Sequence, residues 1–124
     1  MMKIPAAESQ IMEALWRNGP MTPDEIVAEV GPANDWARNT VRVLITRLMR
    51  KGAIRGAKEE GRFAYRPLIQ RSDYILAESQ GLLDRLFEGK LAPLVAHFAE
   101  HRNLTPEDLE KLNALIAEID NGRR

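Results

Sequence analysis

Residues 34 to 52, NDWARNTVRVLITRLMRKG, constrain this chain more than any other stretch. At 100° per residue, Val41, Leu44, Ile45 and Leu48 fall within one narrow arc with Met49 at its edge, whereas Asn39, Arg42, Val43, Thr46 and Arg50 point the opposite way. The spacing predicts a helix that buries one face, presents the other and stops at Gly52. From Ala37 to Gly52 there is no acid, so the presented face lacks the i,i+4 ion pairs that a merely solvated helix uses. Such a face suits an anionic partner.

The charge distribution sharpens this reading. The whole chain is neutral, with 18 basic and 18 acidic residues. Yet between positions 38 and 66 Arg38, Arg42, Arg47, Arg50, Lys51, Arg55, Lys58, Arg62 and Arg66 face only Glu59 and Glu60. A local basic patch on a neutral protein binds phosphates without the indiscriminate attraction of a very basic chain.

The flanking segments supply a context. Ile11, Met12, Leu15 and Trp16 give a first helix its apolar face, ended by Asn18, Gly19 and Pro20. MTPDEI starts a second, with Thr22 as cap, Pro23 in the first turn, Glu25 completing a capping box and Met21 stapled onto Ile26. Gly31 and Pro32 are expected to stop it after Val30. The basic helix comes third. After it, AIRGAKEEGRFAYRPL reads as a β-hairpin, with Phe63 and Tyr65 alternating against Arg62 and Arg66 and a charged turn at Gly61. Three helices followed by a basic hairpin describe a winged helix-turn-helix over residues 1 to 70. In that fold the third helix enters the major groove and the wing lies along the phosphates. Asn39 and Arg42, with Thr40 and Thr46 behind them, are the expected base contacts. Arg38, Arg47, Arg50 and Lys51, together with Lys58 and Arg62 of the wing, are the expected phosphate contacts.

Residues 71 to 124 read as three amphipathic helices, the first capped by Ser72 and the last opened by Thr105, Pro106 and Asp108 with Leu104 and Leu109 as staple. About 50 residues in three short helices make a marginal core, so their apolar faces are expected to pack against a second copy. Leu86, Leu94 and Phe98, with Leu109, Leu112, Leu115, Ile116 and Ile119 of the last helix, are the expected dimer interface. The fold class is thus mostly α with a small β-hairpin wing, and the partner is double-stranded DNA. With no cysteine there are neither disulfides nor thiolate metal sites, and a cytoplasmic location is the default. No stretch approaches the ~20 apolar residues of a membrane span, so no membrane insertion is expected.

HFAEH, residues 97 to 101, matches the H-x-x-E-H pattern of inverted zinc peptidases. Such an enzyme needs a third protein ligand and a cleft, for which few residues remain, so no catalytic role is assigned. A metal-responsive pair at His97 and His101 is the alternative, and an adaptor binding acidic protein through the basic face is another. No Gly-rich phosphate loop or paired-carboxylate pocket points to a cofactor or another enzyme.

The stretch NDWARNTVRVLITRLMRKGAI, with AESQIMEALW upstream, resembles the penicillinase-repressor family of BlaI, MecI and CopY type. That family's signature, W-x-x-x-T-[VI]-x-x-L-[IL]-x-R-L-x-x-K-G, is met at Trp36, Thr40, Val41, Leu44, Ile45, Arg47, Leu48, Lys51 and Gly52. The resemblance implies a dimeric repressor of β-lactamase-type genes, bound to inverted-repeat operators of the TACA/TGTA kind. It further implies release when a membrane-bound sensor metalloprotease triggers cleavage between Asn and Phe in a motif like LVLNF. Here LVAHF stands in that place, and the matching bond is His97–Phe98. Ala37, Arg38 and Asn39 stand where the β-lactam branch often has Ser-Pro-Lys, and the Cys-rich end of the copper-responsive branch is missing.

Overall fold

The computed structural model describes residues 2 to 122. Its elements are α1 (Ala6–Asn18), α2 (Pro23–Asn34), α3 (Arg38–Lys51), β1 (Ile54–Glu59), β2 (Arg62–Pro67), α4 (Arg71–Phe87), α5 (Leu91–Glu100) and α6 (Pro106–Gly122). This is the mostly helical chain with a two-stranded antiparallel hairpin that the residue pattern predicts. The chain divides into two compact units, one ending at Leu76 and the other starting at Ala77.

In the first unit the helix ends follow from local chemistry. At the start of α2 the Glu25 amide donates to the Thr22 hydroxyl at 3.2 Å, and the Thr22 amide donates to the Glu25 carboxylate at 2.8 Å. This is the predicted capping box, closed in both directions. The end of α2 differs from expectation: the helix runs through Gly31 and Pro32 to Asn34. A proline so near the end forgoes one donor, and the last turn closes without it. Trp36 N donates to the Gly31 carbonyl at 2.8 Å, and Asp35 takes the left-handed conformation, φ 56°. A side chain at position 31 would crowd the Trp36 carbonyl at 3.2 Å, which explains the glycine.

Helix α3 stops as predicted. Gly52, at φ 78°, donates to the Met49 carbonyl, and Ala53 donates to that of Leu48, both at 3.0 Å. The chain then enters the hairpin, whose two-residue turn at Glu60 and Gly61 has positive φ at both positions. That geometry matches the right-handed twist of the flanking strands. Met21 pairs with Tyr65 through backbone bonds of 3.0 and 2.8 Å, joining the segment before α2 to the wing.

Ile11, Met12, Leu15, Ile26, Val41 and Leu48 form the most deeply buried part of the core, where α1, α2 and α3 meet. Full burial of each such side chain contributes about 1.5–3 kcal/mol. The first turn of α4 packs on the same unit. The Trp16 indole donates to the Ile69 carbonyl at 2.9 Å, the Trp16 and Tyr74 rings lie 5.3 Å apart, and Arg71 Nε reaches both carboxylate oxygens of Glu13. Tyr74 N donates to the Gln70 carbonyl, so the helix is entered at Gln70, and Ser72 lies inside the first turn rather than at the cap.

In the second unit Glu88 and Gly89, both at positive φ, turn the chain from α4 into α5, and Arg102 does so between α5 and α6. Thr105 and Asp108 form a reciprocal cap at the start of α6, with bonds of 3.0 and 3.2 Å, as predicted. No described residue of α4, α5 or α6 is buried.

Candidate nucleic-acid interface

The apolar stripe of α3 is buried on α1 and α2, and this turns the opposite face outward. Asn39, Arg42, Val43, Thr46, Arg47 and Arg50 line one shallow open depression along that face. Four of them are expected DNA contacts of α3 beyond its first turn, and Val43 sits among them. Among the described residues, Arg42, Arg47 and Arg50 have no ion-pair partner, nor do Arg55 and Lys58 on the hairpin. Thr40 is exposed one turn above. Thr46 donates its hydroxyl to the Arg42 carbonyl at 3.0 Å, so its donor is turned back onto the helix.

The other expected phosphate contacts carry counter-ions that the local pattern does not reveal. Arg38 pairs with Asp24 at 2.6 Å, and Arg62 reaches Glu25 at 3.3 Å. Both acids lie in the first turn of α2, next to the arginine-lined face. They mask these two cations only loosely, since all four side chains are substantially exposed. The Thr22 amide, the Thr22 hydroxyl and then the Arg62 charge hold the Glu25 carboxyl below its usual value. Arg66 pairs with Glu59 across the hairpin.

Lys51 is engaged within the chain. Its ammonium donates to the carboxylate of Glu8 and to the Lys3 carbonyl at 2.8 Å, away from the arginine-lined face. Glu8 is only 3% exposed and is the buried charged residue of the core. The pair ties the start of α1 to the last turn of α3, an anchoring role that the expectation of a phosphate contact at Lys51 does not include. Sequence reasoning missed Glu8, Asp24 and Glu25 as partners, because each is far along the chain from the cation it meets.

In the second unit the expected interface residues Leu94, Phe98, Leu112 and Leu115 come together with Val95 and Leu104 around an apolar depression between α5 and α6. Leu86, Leu109, Ile116 and Ile119 are exposed, the last at 54%. His97 and Phe98 lie within α5, so the bond between them is helical. Pro93 stands in the first turn, where its missing donor has no helical partner anyway. The His97 and His101 rings are 4.5 Å apart, with His101 Nδ1 2.9 Å from the His97 carbonyl. Among the described residues no third His, Asp or Glu joins them as a metal-binding group. No helix among the described residues is long and apolar enough to cross a membrane.

A family profile described as penicillinase repressor matches residues 4–118. The penicillinase repressor of Bacillus licheniformis is 32% identical over 127 residues, covering 100% of this chain and 99% of that protein. The methicillin resistance regulatory protein MecI of Mammaliicoccus sciuri is 30% identical over 114 residues, covering 92% and 93%. Among solved structures, the monomeric form of Bacillus licheniformis BlaI in complex with the blaP half-operator superposes with a TM-score of 0.52 at 34% identity. It covers 60% of this chain and 94% of that one.

Proposed function

The chain belongs to the penicillinase repressor family, and from that premise we propose that it represses transcription by seating α3 in the major groove of an inverted-repeat operator. The single observation that carries this reading is the acid-free outer face of α3, on which Arg42, Arg47 and Arg50 stand beside Asn39 without ion-pair partners among the described residues. Arg42 and Asn39 are the base-reading pair, because guanidinium and carboxamide groups make bidentate bonds to purine edges. Arg47, Arg50, Arg55 and Lys58 neutralise phosphates, and Arg38 and Arg62 join them by exchanging Asp24 and Glu25 for the backbone.

We propose a homodimer held by the second unit. A row of exposed Leu, Ile and Phe side chains with no buried residue behind it cannot stabilise three helices alone. A second copy covering Leu112, Leu115, Ile116 and Ile119 supplies the missing burial, and two-fold symmetry matches an inverted repeat. Release by proteolysis at His97–Phe98, prompted by a membrane-bound sensor metalloprotease, fits this architecture. A protease takes extended chain, so α5 must open first, and a cut there detaches α6 from the DNA-binding unit. A DNA target places the protein in the cytoplasm.

Fluorescence anisotropy of the full chain on its gene's own upstream duplex and on scrambled duplexes, over a salt series, tests the reading. Selective binding whose logarithm falls linearly with log salt supports it. Equal affinity for both duplexes overturns it.

A further inference from the structure

One feature of the α3 face is not explained by phosphate binding or by hydrogen bonding. Val43 is an apolar, β-branched residue, 44% exposed, in the middle of a surface otherwise made of Asn39, Arg42, Thr46, Arg47 and Arg50. It contributes nothing to the core, which lies on the other side of the helix. A β-branched residue is also a poorer helix former than the Lys, Arg or Gln that an exposed site accepts. Thr46 lies one turn on, at i+3 on the same face, and its hydroxyl is spent on the Arg42 carbonyl at 3.0 Å. What Thr46 adds to the surface beside Val43 is therefore chiefly its methyl group. The two residues form a small apolar island inside a field of guanidinium groups.

A ligand matching this island is polyanionic at its edges and carries an apolar group at its centre. The floor of the major groove in unmodified DNA offers one such group, the C5-methyl of thymine. We propose that Val43, with the methyl of Thr46, reads the C5-methyl of a thymine in each half-site. The inference rests on the repressor reading above and deepens it by naming a base that the arginines cannot select. The branched side chains suit the task, because each has few χ1 states in a helix and so little freedom to lose on contact.

Deoxyuridine differs from thymidine only by that methyl, so it isolates the contact. In the test, thymines of one half-site of the selected upstream duplex are replaced by deoxyuridine one at a time, and binding is measured with the full-length protein and with Val43→Ala and Thr46→Ser. For the unmodified protein, one position is expected to weaken binding about fourfold, the effect of one methyl group no longer removed from water. Val43→Ala is expected to weaken binding to thymine-containing DNA by a similar factor and to lose most of its sensitivity to deoxyuridine at that position, as a thermodynamic cycle shows for groups in contact. Thr46→Ser keeps the hydroxyl that bonds the helix and is expected to reduce the sensitivity partly. Because Val43 is exposed and alanine favours the helix, Val43→Ala should unfold at no lower temperature than the unmodified protein, which separates a lost contact from a lost fold. Selective binding that is indifferent to every deoxyuridine substitution overturns this assignment alone. So does a Val43→Ala deficit that is equally large with deoxyuridine present. Absence of selective binding to any duplex overturns the repressor reading, and the thymine assignment with it.

Discussion

Arg42 and Lys58 are both exposed cations without ion-pair partners among the described residues, yet they stand on different elements and should behave differently. Arg42 projects from the middle of α3, where the proposed docking brings base edges within reach. Arg42→Ala should cost about 1–3 kcal/mol on the operator and narrow the gap between operator and random DNA. Lys58→Ala should weaken all duplexes alike and lower the salt slope by about 1. A titration series with both variants on both duplexes checks this, and equal losses for Arg42→Ala on operator and random DNA would remove its base-reading role. Lys51 behaves as neither. Its removal leaves the Glu8 carboxylate buried without its cation, so Lys51→Ala should destabilise the fold by about 1–3 kcal/mol in denaturant unfolding while leaving the salt slope unchanged. The sequence shows that Lys51 is basic and near the end of a basic helix. It does not show Glu8, which is 43 positions away and reaches Lys51 only through the packing of α1 on α3. The same blindness to distant partners hides Asp24 behind Arg38 and Glu25 behind Arg62. Base-edge candidates were legible because helical periodicity alone decides which side of α3 they occupy.

At the scale of elements, features written in adjacent residues were the legible ones. Thr22 and Glu25 form their capping box, Thr105 and Asp108 theirs, and Gly52 ends α3, since each depends on chemistry within one turn. Failures came where a local signal has more than one structural solution. Gly31 and Pro32 read as a stop signal, but a helix tolerates proline in its closing turn when the following amides find carbonyls. Ser72 is a good cap by type, yet Trp16 and Glu13 hold Tyr74 and Arg71 so that the helix is entered two residues earlier. The capping box has a consequence in pH. Glu25 is held below its usual value by the Thr22 amide and hydroxyl and by Arg62, so its folded-state value lies below its unfolded one. Its stabilising contribution is then complete above the unfolded value of about 4.5 and fades as pH falls through the folded value. Thermal unfolding of the unmodified protein and of Glu25→Gln should differ by a constant amount between pH 7 and 5.5 and converge in more acid solution. A gap that widens on acidification would contradict this. In the wing, any side chain at Gly56 would overlap the Phe63 ring, so Gly56→Ala should shift the hairpin and weaken binding to all duplexes. A Gly56→Ala protein with unchanged affinity would show that the ring yields without cost.

Across the whole molecule, the apolar surface of the second unit is the feature that one copy of the chain leaves unexplained. Its helices and their stripes are readable, because each is amphipathic at helical period, and so is the Thr105–Asp108 cap of α6. The partner proposed to cover them is only inferable, since periodicity says which side is apolar and nothing about what meets it. Leu112→Asp places a charge beside the depression formed with Leu94, Phe98 and Leu115, and should leave a monomer whose DNA-binding unit still folds. Sedimentation at tens of micromolar should show the unmodified chain as a dimer and the variant at half that mass. The proposed dimer presents its two α3 helices to successive turns of one DNA face. Hydroxyl-radical footprinting of the full chain on its upstream DNA measures this directly. Two protected half-sites related by a dyad are expected, with centres a whole number of helical turns apart, about 10 base pairs or a multiple. Leu112→Asp should require far higher protein concentration for the same pattern. A single asymmetric footprint, or two without dyad symmetry, would contradict it.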